Sequence, residues 1–222
     1  MRFLTILLSA FFLVVFTPAC GDVGHDDHDH SDHDDHDDHD DHDGHDHDPN
    51  EVMTTVKLTF TPASGGDAVT FGWADPENDG SPVIDPITLT AGETYTVSIQ
   101  VLNELEDPAE DVTLELRDEL DEHQFFFTGD AVSGPANEST SAIIAHSYAD
   151  MDANGYPVGL ENTIEATAAG MGEMSLMLRH MPPVNDSPVK TGELAGLVLN
   201  GDAASLPGSV DIEVTFSVTV AE

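Results

Sequence analysis

Residues 210–220 alternate without interruption: Val210, Ile212, Val214, Phe216, Val218 and Val220 on one parity, Asp211, Glu213, Thr215, Ser217 and Thr219 on the other. Only an extended chain separates these two sets, because successive side chains of a strand point to opposite faces. A helix would scatter both sets around its axis. The β-branched residues of the apolar set fit a half-buried sheet surface. This one stretch therefore commits the chain to a sheet with one face in a core.

The same period recurs. Val56, Leu58 and Phe60 alternate with Lys57, Thr59 and Thr61. Val69, Phe71 and Trp73 form another set, as do Tyr95, Val97, Ile99 and Val101, and Met174, Leu176, Leu178 and His180. Weaker patterns cover 124–128, 141–149 and 161–168. Clusters of Gly, Pro, Asn and Asp separate these runs. One segment departs from the rule: Asp107-Pro108 has the form of a helix start, and Val112, Leu116 and Leu120 follow at spacing four. A single helix is predicted from about 108 to 122. The expected fold is mainly β, an antiparallel β-sandwich of immunoglobulin-like or related type with one short helix, over residues 51–222.

The preceding residues have no such pattern. Residues 4–16 are almost wholly apolar, follow Arg2, and end at Thr17-Pro18-Ala19-Cys20. This is the plan of a secretion signal, and the run is shorter than the roughly 20 residues a bilayer span needs. Cys20 is the only cysteine, so it has no intrachain disulfide partner. Directly after the small residues of a signal it looks like the acylated cysteine of a bacterial lipobox, although Thr17 stands where leucine is usual. Residues 1–20 are thus expected to be a lipoprotein signal, with Cys20 carrying a membrane anchor outside the cytoplasm. Cleavage near Ala19, giving a soluble secreted protein, is the alternative.

Residues 21–50 are an Asp/His tract and its linker. His25, His28, His30, His33, His36, His39, His42, His45 and His47 lie among aspartates, recurring every third residue from His30 to His45. Without apolar residues to bury, such a segment is expected to be disordered. Imidazole and carboxylate both bind zinc and similar divalent transition metals. Spacing three aligns the histidines on one edge of an extended chain, about 9 Å apart. In a transient helix the same spacing makes them neighbours. Neither geometry prebuilds a site, so capacity should be high, affinity modest and selectivity poor. A solvated spacer of about 30 Å is the competing use, but spacing does not explain nine histidines. Because the tract follows Cys20 directly, acylation would place it next to the lipid surface.

Forty-four acidic residues against five basic ones give a net charge of −39. That charge excludes nucleic acid and anionic lipid as partners and favours cations. A second cation motif lies in the domain: Asp150, Asp152, Asn154, Gly155, Tyr156 and Glu161 match a twelve-residue calcium loop at its ligand positions. Strand-like flanks and Pro157 are foreign to that motif, and Asn154-Gly155 equally signals a hairpin turn. Asp75, Glu77, Asp79 and Gly80 read as a turn. His123, His146 and His180 are candidates to converge on a metal, although His180 continues an apolar face and reads better as a core or edge residue. Met171, Met174, Met177 and Met181 suggest a soft copper site less well than they suggest core packing. No nucleophile motif or phosphate loop is present, and the chain is not expected to be an enzyme.

Segments 54–62 (TTVKLTFTP), 85–89 (DPITL), 107–127 (DPAEDVTLELRDELDEHQFFF), 150–161 (DMDANGYPVGLE) and 178–184 (LRHMPPV) resemble small bacterial outer-envelope lipoproteins of unassigned activity. Some of these carry a type 1 periplasmic-binding label, which implies alternating βαβ units. The strand pattern here does not fit that label. The resemblance implies an envelope lipoprotein and no catalytic residue. Together these readings describe a lipid-anchored protein that captures or buffers zinc or similar ions, with an envelope metal transporter or receptor as partner class. The alternative is a calcium-stabilised surface structural or adhesive module with the tract as spacer.

Overall fold

The computed structural model describes residues 52–222. The signal, Cys20 and all nine tract histidines lie outside the described residues. The remainder is a two-sheet β-sandwich, as the period-two runs predict.

The first sheet has seven strands. They are β1 (Thr55–Pro62), β2 (Val69–Ala74), β3 (Val83–Ile84), β5 (Thr94–Leu102), β7 (Val132–Ser133), β8 (Ile144–Tyr148) and β9 (Glu161–Ala166), in the spatial order β3-β2-β1-β5-β9-β8-β7. The second has four: β4 (Ile87–Thr90), β6 (His123–Thr128), β10 (Gly170–His180) and β11 (Ser209–Ala221), in the order β4-β11-β10-β6. Pairing is antiparallel except at β4–β11 and β7–β8. The two sheets share one core. Val56, Leu58, Phe60, Val97, Ile99 and Ile164 of the first pack with Phe125, Phe127, Met174, Leu176, Val214 and Phe216 of the second. Each such residue, fully buried, contributes about 1.5–3 kcal/mol over its exposed state.

β11 shows how the pattern is used and where it stops. Ile212, Val214, Phe216, Val218 and Val220 are buried, but Val210 is 43% exposed. The register shifts here: Leu178 faces Ile212 while Arg179 faces Val210, so Asp211 is an inserted residue. That bulge takes Val210 out of the core-facing set. β2 is also less buried than its alternation suggests, with Val69 exposed and Phe71 and Trp73 half-buried.

β6 is buried along nearly its whole length. Phe125 and Phe127 enter the main core, while Phe126 packs on the opposite face with Ala136, Met181, Leu194, Ala195 and Leu206. Its free edge is covered. The Phe125 amide donates to the Val158 carbonyl at 2.7 Å, and the Tyr148 hydroxyl to the Phe125 carbonyl at 2.8 Å. The loop after β8 therefore shields an edge strand.

The helix prediction needs correction. α1 spans only Thr113–Asp118, and Asp107-Pro108 belongs to the preceding loop. Asn103 and Glu110 exchange both backbone hydrogen bonds at 3.0 Å, which keeps the chain out of helical geometry through Glu110. Asp111 assists the real start, its Oδ1 accepting the Thr113 amide at 3.2 Å. A second helix, α2 (Leu194–Leu199), was not predicted, and a 3-10 turn follows at Ala203–Ser205. Among the described residues no helix is long and apolar enough to cross a membrane.

Candidate metal centre

β6 begins at His123 and β10 ends at His180, and the antiparallel register sets these two residues directly opposite each other. Their rings stack with centroids 4.5 Å apart and planes 13° from parallel. His123 is buried and His180 half-buried. The chain enters β6 from α1 through a tight turn in which the Glu122 amide donates to the Glu119 carbonyl at 2.9 Å. The Met181 amide donates to the Glu122 carbonyl at 2.6 Å, tying the end of β10 to that turn. Two glutamates are thereby carried to the histidine pair.

Glu119, His123 and His180 each offer a ligand atom within 4.8 Å of the others. The Glu119 carboxylate lies 4.0 Å from His123 Nδ1, and Glu122 Oε2 lies 3.6 Å from His180 Nε2. His123 Nδ1 also stands 3.1 Å from the Glu119 carbonyl. A carbonyl only accepts, so this contact puts the proton on Nδ1 and leaves the lone pair on Nε2. Glu119, His123 and His180, from a helix end and two strand ends, form a donor set of the kind zinc takes, with Glu122 of the turn beside His180.

His146 is not part of this group. It sits on β8, its Nε2 2.9 Å from Asn162 Oδ1, stacked on Phe127 at 4.1 Å. Asn162 Nδ2 donates to the Gly159 carbonyl at 2.6 Å, so Oδ1 is the atom facing the ring and Nε2 carries the proton. Burial pushes this imidazole down to about 4, against a smaller opposing effect of the Asn162 hydrogen bond. Nearby, burial raises the Tyr148 phenol to about 12. The methionines also divide: Met174 is core, Met181 joins the second cluster, and Met171 is exposed.

The loop from Asp150 to Glu161 uses its carboxylates on its own backbone. Asp150 Oδ1 accepts the Gly159 amide at 2.7 Å, and Oδ2 accepts those of Leu160 and Glu161 at 2.9 and 3.1 Å. Asp152 Oδ1 accepts the amides of Asn154 and Tyr156 at 2.8 and 2.9 Å. The Tyr156 carbonyl accepts the Asp152 amide at 2.9 Å. Asn154 is exposed, and Glu161 faces Arg117 at 3.3 Å. The cation at Asp152 Oδ2 is Lys190 Nζ, 3.1 Å away, with both side chains almost fully buried. Lys190 Nζ also donates to the Leu120 carbonyl at 2.6 Å. Burial lowers the Lys190 pKa, and Asp152 opposes that shift. This conformation is an amide-capped turn, with positive φ at Gly155. Asp75 caps a similar turn, accepting the amides of Asp79 and Gly80 at 3.1 and 2.8 Å.

Lys190 was missed by sequence reasoning: it follows Asn185-Asp186-Ser187-Pro188-Val189 and precedes Thr191-Gly192-Glu193, a polar turn-like stretch that gives no sign of burial. Compared with family models, curated proteins and solved structures, the chain matches none.

Proposed function

We propose that this protein is a lipid-anchored, extracytoplasmic metal-binding protein that captures or buffers zinc or similar divalent ions through its Asp/His tract. The observation that carries the reading is the tract itself, nine histidines among aspartates in residues 21–48. Aspartate concentrates cations near the tract, and imidazole holds them by coordination. The sandwich is the stable body that the tract is attached to, and an envelope transporter or receptor is the class of partner that would take the metal on. The acidic surface, with so few basic residues to pair it, suits a protein that handles cations.

The test is zinc titration by calorimetry. The intact chain is compared with a variant in which the nine tract histidines are asparagines, so that charge and length are kept. Several equivalents of zinc should bind the intact chain near neutral pH, and most of that capacity should vanish in the variant. Equal uptake by both would remove metal capture and leave the tract as a spacer. Mass spectrometry of the membrane fraction checks the anchor: a mature chain lacking diacylglycerol on Cys20 would remove that part of the reading.

A further inference from the structure

We infer that the sandwich holds a second metal site, a single zinc bound by Glu119, His123, His180 and Glu122, separate in kind from the tract. The tract would offer many equivalent ligands. This group holds the ligand atoms of Glu119, His123 and His180 within 4.8 Å of one another, with Glu122 beside His180, on four connected elements brought together before any metal arrives. The inference does not depend on the tract reading.

The geometry is close to what zinc requires. Ligand atoms around tetrahedral zinc, at about 2.0–2.1 Å from the ion, stand about 3.3 Å apart. Glu122 Oε2 and His180 Nε2, at 3.6 Å, already meet that spacing. The triad of Glu119, His123 and His180 spans up to 4.8 Å, so contraction by about 1.5 Å through side-chain rotation completes the set. The His123 Nδ1 contact to the Glu119 carbonyl does what second contacts do in zinc sites: it fixes the tautomer and aims the other nitrogen. Two anionic carboxylates with two neutral imidazoles neutralise a divalent ion. In a chain that holds this cluster largely out of water, that neutralisation counts.

The site would also do mechanical work. Glu119 caps α1, Glu122 lies in the turn, His123 opens β6 and His180 ends β10. One ion would clamp the helix end to an edge strand and to its neighbour. The expected behaviour is one tight, slowly exchanging equivalent beneath the many weak ones of the tract. Glu122 Oε2 and His180 Nε2 are both inaccessible to solvent, so release of the ion needs local opening.

Trp73 is the only tryptophan and lies on β2, so its fluorescence reports unfolding of the sandwich and not of the tract. The intact chain is melted with and without zinc in excess of what the tract absorbs. A ligand that binds only the folded domain at about a hundred times its Kd should raise Tm by about 5–10 °C. The rise should persist in the variant whose nine tract histidines are asparagines, and should largely disappear in Glu119→Gln and in His180→Gln. Circular dichroism of each variant without metal verifies the fold, and Glu119→Gln, at a half-buried position, carries the test should His180→Gln not fold. No rise in the intact chain, an equal rise in Glu119→Gln, or a rise lost with the tract histidines would each overturn the site. Because the tract is judged by stoichiometry and this site by Tm, either can fail alone.

Discussion

Lys190→Met removes the ammonium that faces Asp152 Oδ2 at 3.1 Å and keeps an unbranched chain of similar length. The two side chains are 1% and 0% exposed, so neither water nor salt can replace the lost partner. Breaking a buried pair by deleting one member typically costs about 3–5 kcal/mol, because the survivor remains as an uncompensated charge. The hydrogen bond from Nζ to the Leu120 carbonyl is lost as well, adding about 1 kcal/mol. In a domain of this size each kcal/mol moves Tm by about 2–4 °C, so a fall on the order of 10 °C is expected. Urea unfolding followed through Trp73 gives the free energy directly. The double variant Asp152→Asn/Lys190→Met separates charge from packing. Asparagine keeps Oδ1 for the amides of Asn154 and Tyr156, and with both charges gone most of the stability should return. A single variant within about 1 kcal/mol of the parent, or a double variant no better than Lys190→Met, would refute the reasoning. The same melts decide the calcium reading of the loop: with Lys190 already at Asp152, millimolar calcium should leave Tm unchanged, and a clear rise would establish a calcium site.

Two further outcomes follow from particular residues. His146 is held at about 4 in the folded chain against 6.5 for the free group. A depressed folded pKa means that its stabilisation is complete above about 6.5 and is lost as pH falls towards 4, by up to about 3 kcal/mol. His146→Gln should therefore lose less stability than the parent between pH 6.5 and 4 in urea melts, and parallel curves would contradict the burial argument. Gly208 has φ of 74°, and a Cβ there would be driven into the His180 carbonyl oxygen. Gly208→Ala should cost about 2 kcal/mol or more and, by shifting His180, should weaken the zinc-dependent rise in Tm. A variant with both properties intact would show that the backbone yields there at little cost.

The sandwich was legible because alternation is a direct record of which face a strand buries. Val56, Leu58 and Phe60, or Val214, Phe216 and Val218, can satisfy their pattern in only one way. What the sequence did not carry was register and neighbourhood. The helix start at Asp107-Pro108 looked sound locally, yet the exchange of hydrogen bonds between Asn103 and Glu110 forbids it, and that pairing joins a strand end to a loop. α2 is not legible because LAGLVL has no capping residue and contains Gly196 and Val198, poor helix formers, and the helix is held instead by Leu194, Ala195, Leu197 and Val198 in the cluster with Phe126 and Met181. The calcium motif matched the loop letter by letter, but an aspartate satisfies a turn amide with the same oxygens it would give an ion. Lys190, far along the chain, takes the cation's place at Asp152.

The histidines make the same distinction between composition and arrangement. In the tract their number and spacing are the whole argument, since many closely spaced ligands need no single fixed geometry to bind weakly. In the sandwich, His123, His146 and His180 are all candidates from the sequence, with His180 reading better as a core or edge residue. The cross-strand register puts His123 against His180 and brings two glutamates beside them, whereas β8 carries His146 to Asn162 and Phe127. The difference between a proposed ligand and a core residue here is set by one pairing of two strand ends. Their side chains lie about 57 positions apart in sequence, far beyond any motif spacing, so only the folded register makes them a pair. If the tract concentrates metal as proposed, that pairing would give the sandwich the means to hold one ion more firmly. The Trp73 melts and the tract titration measure those two capacities separately.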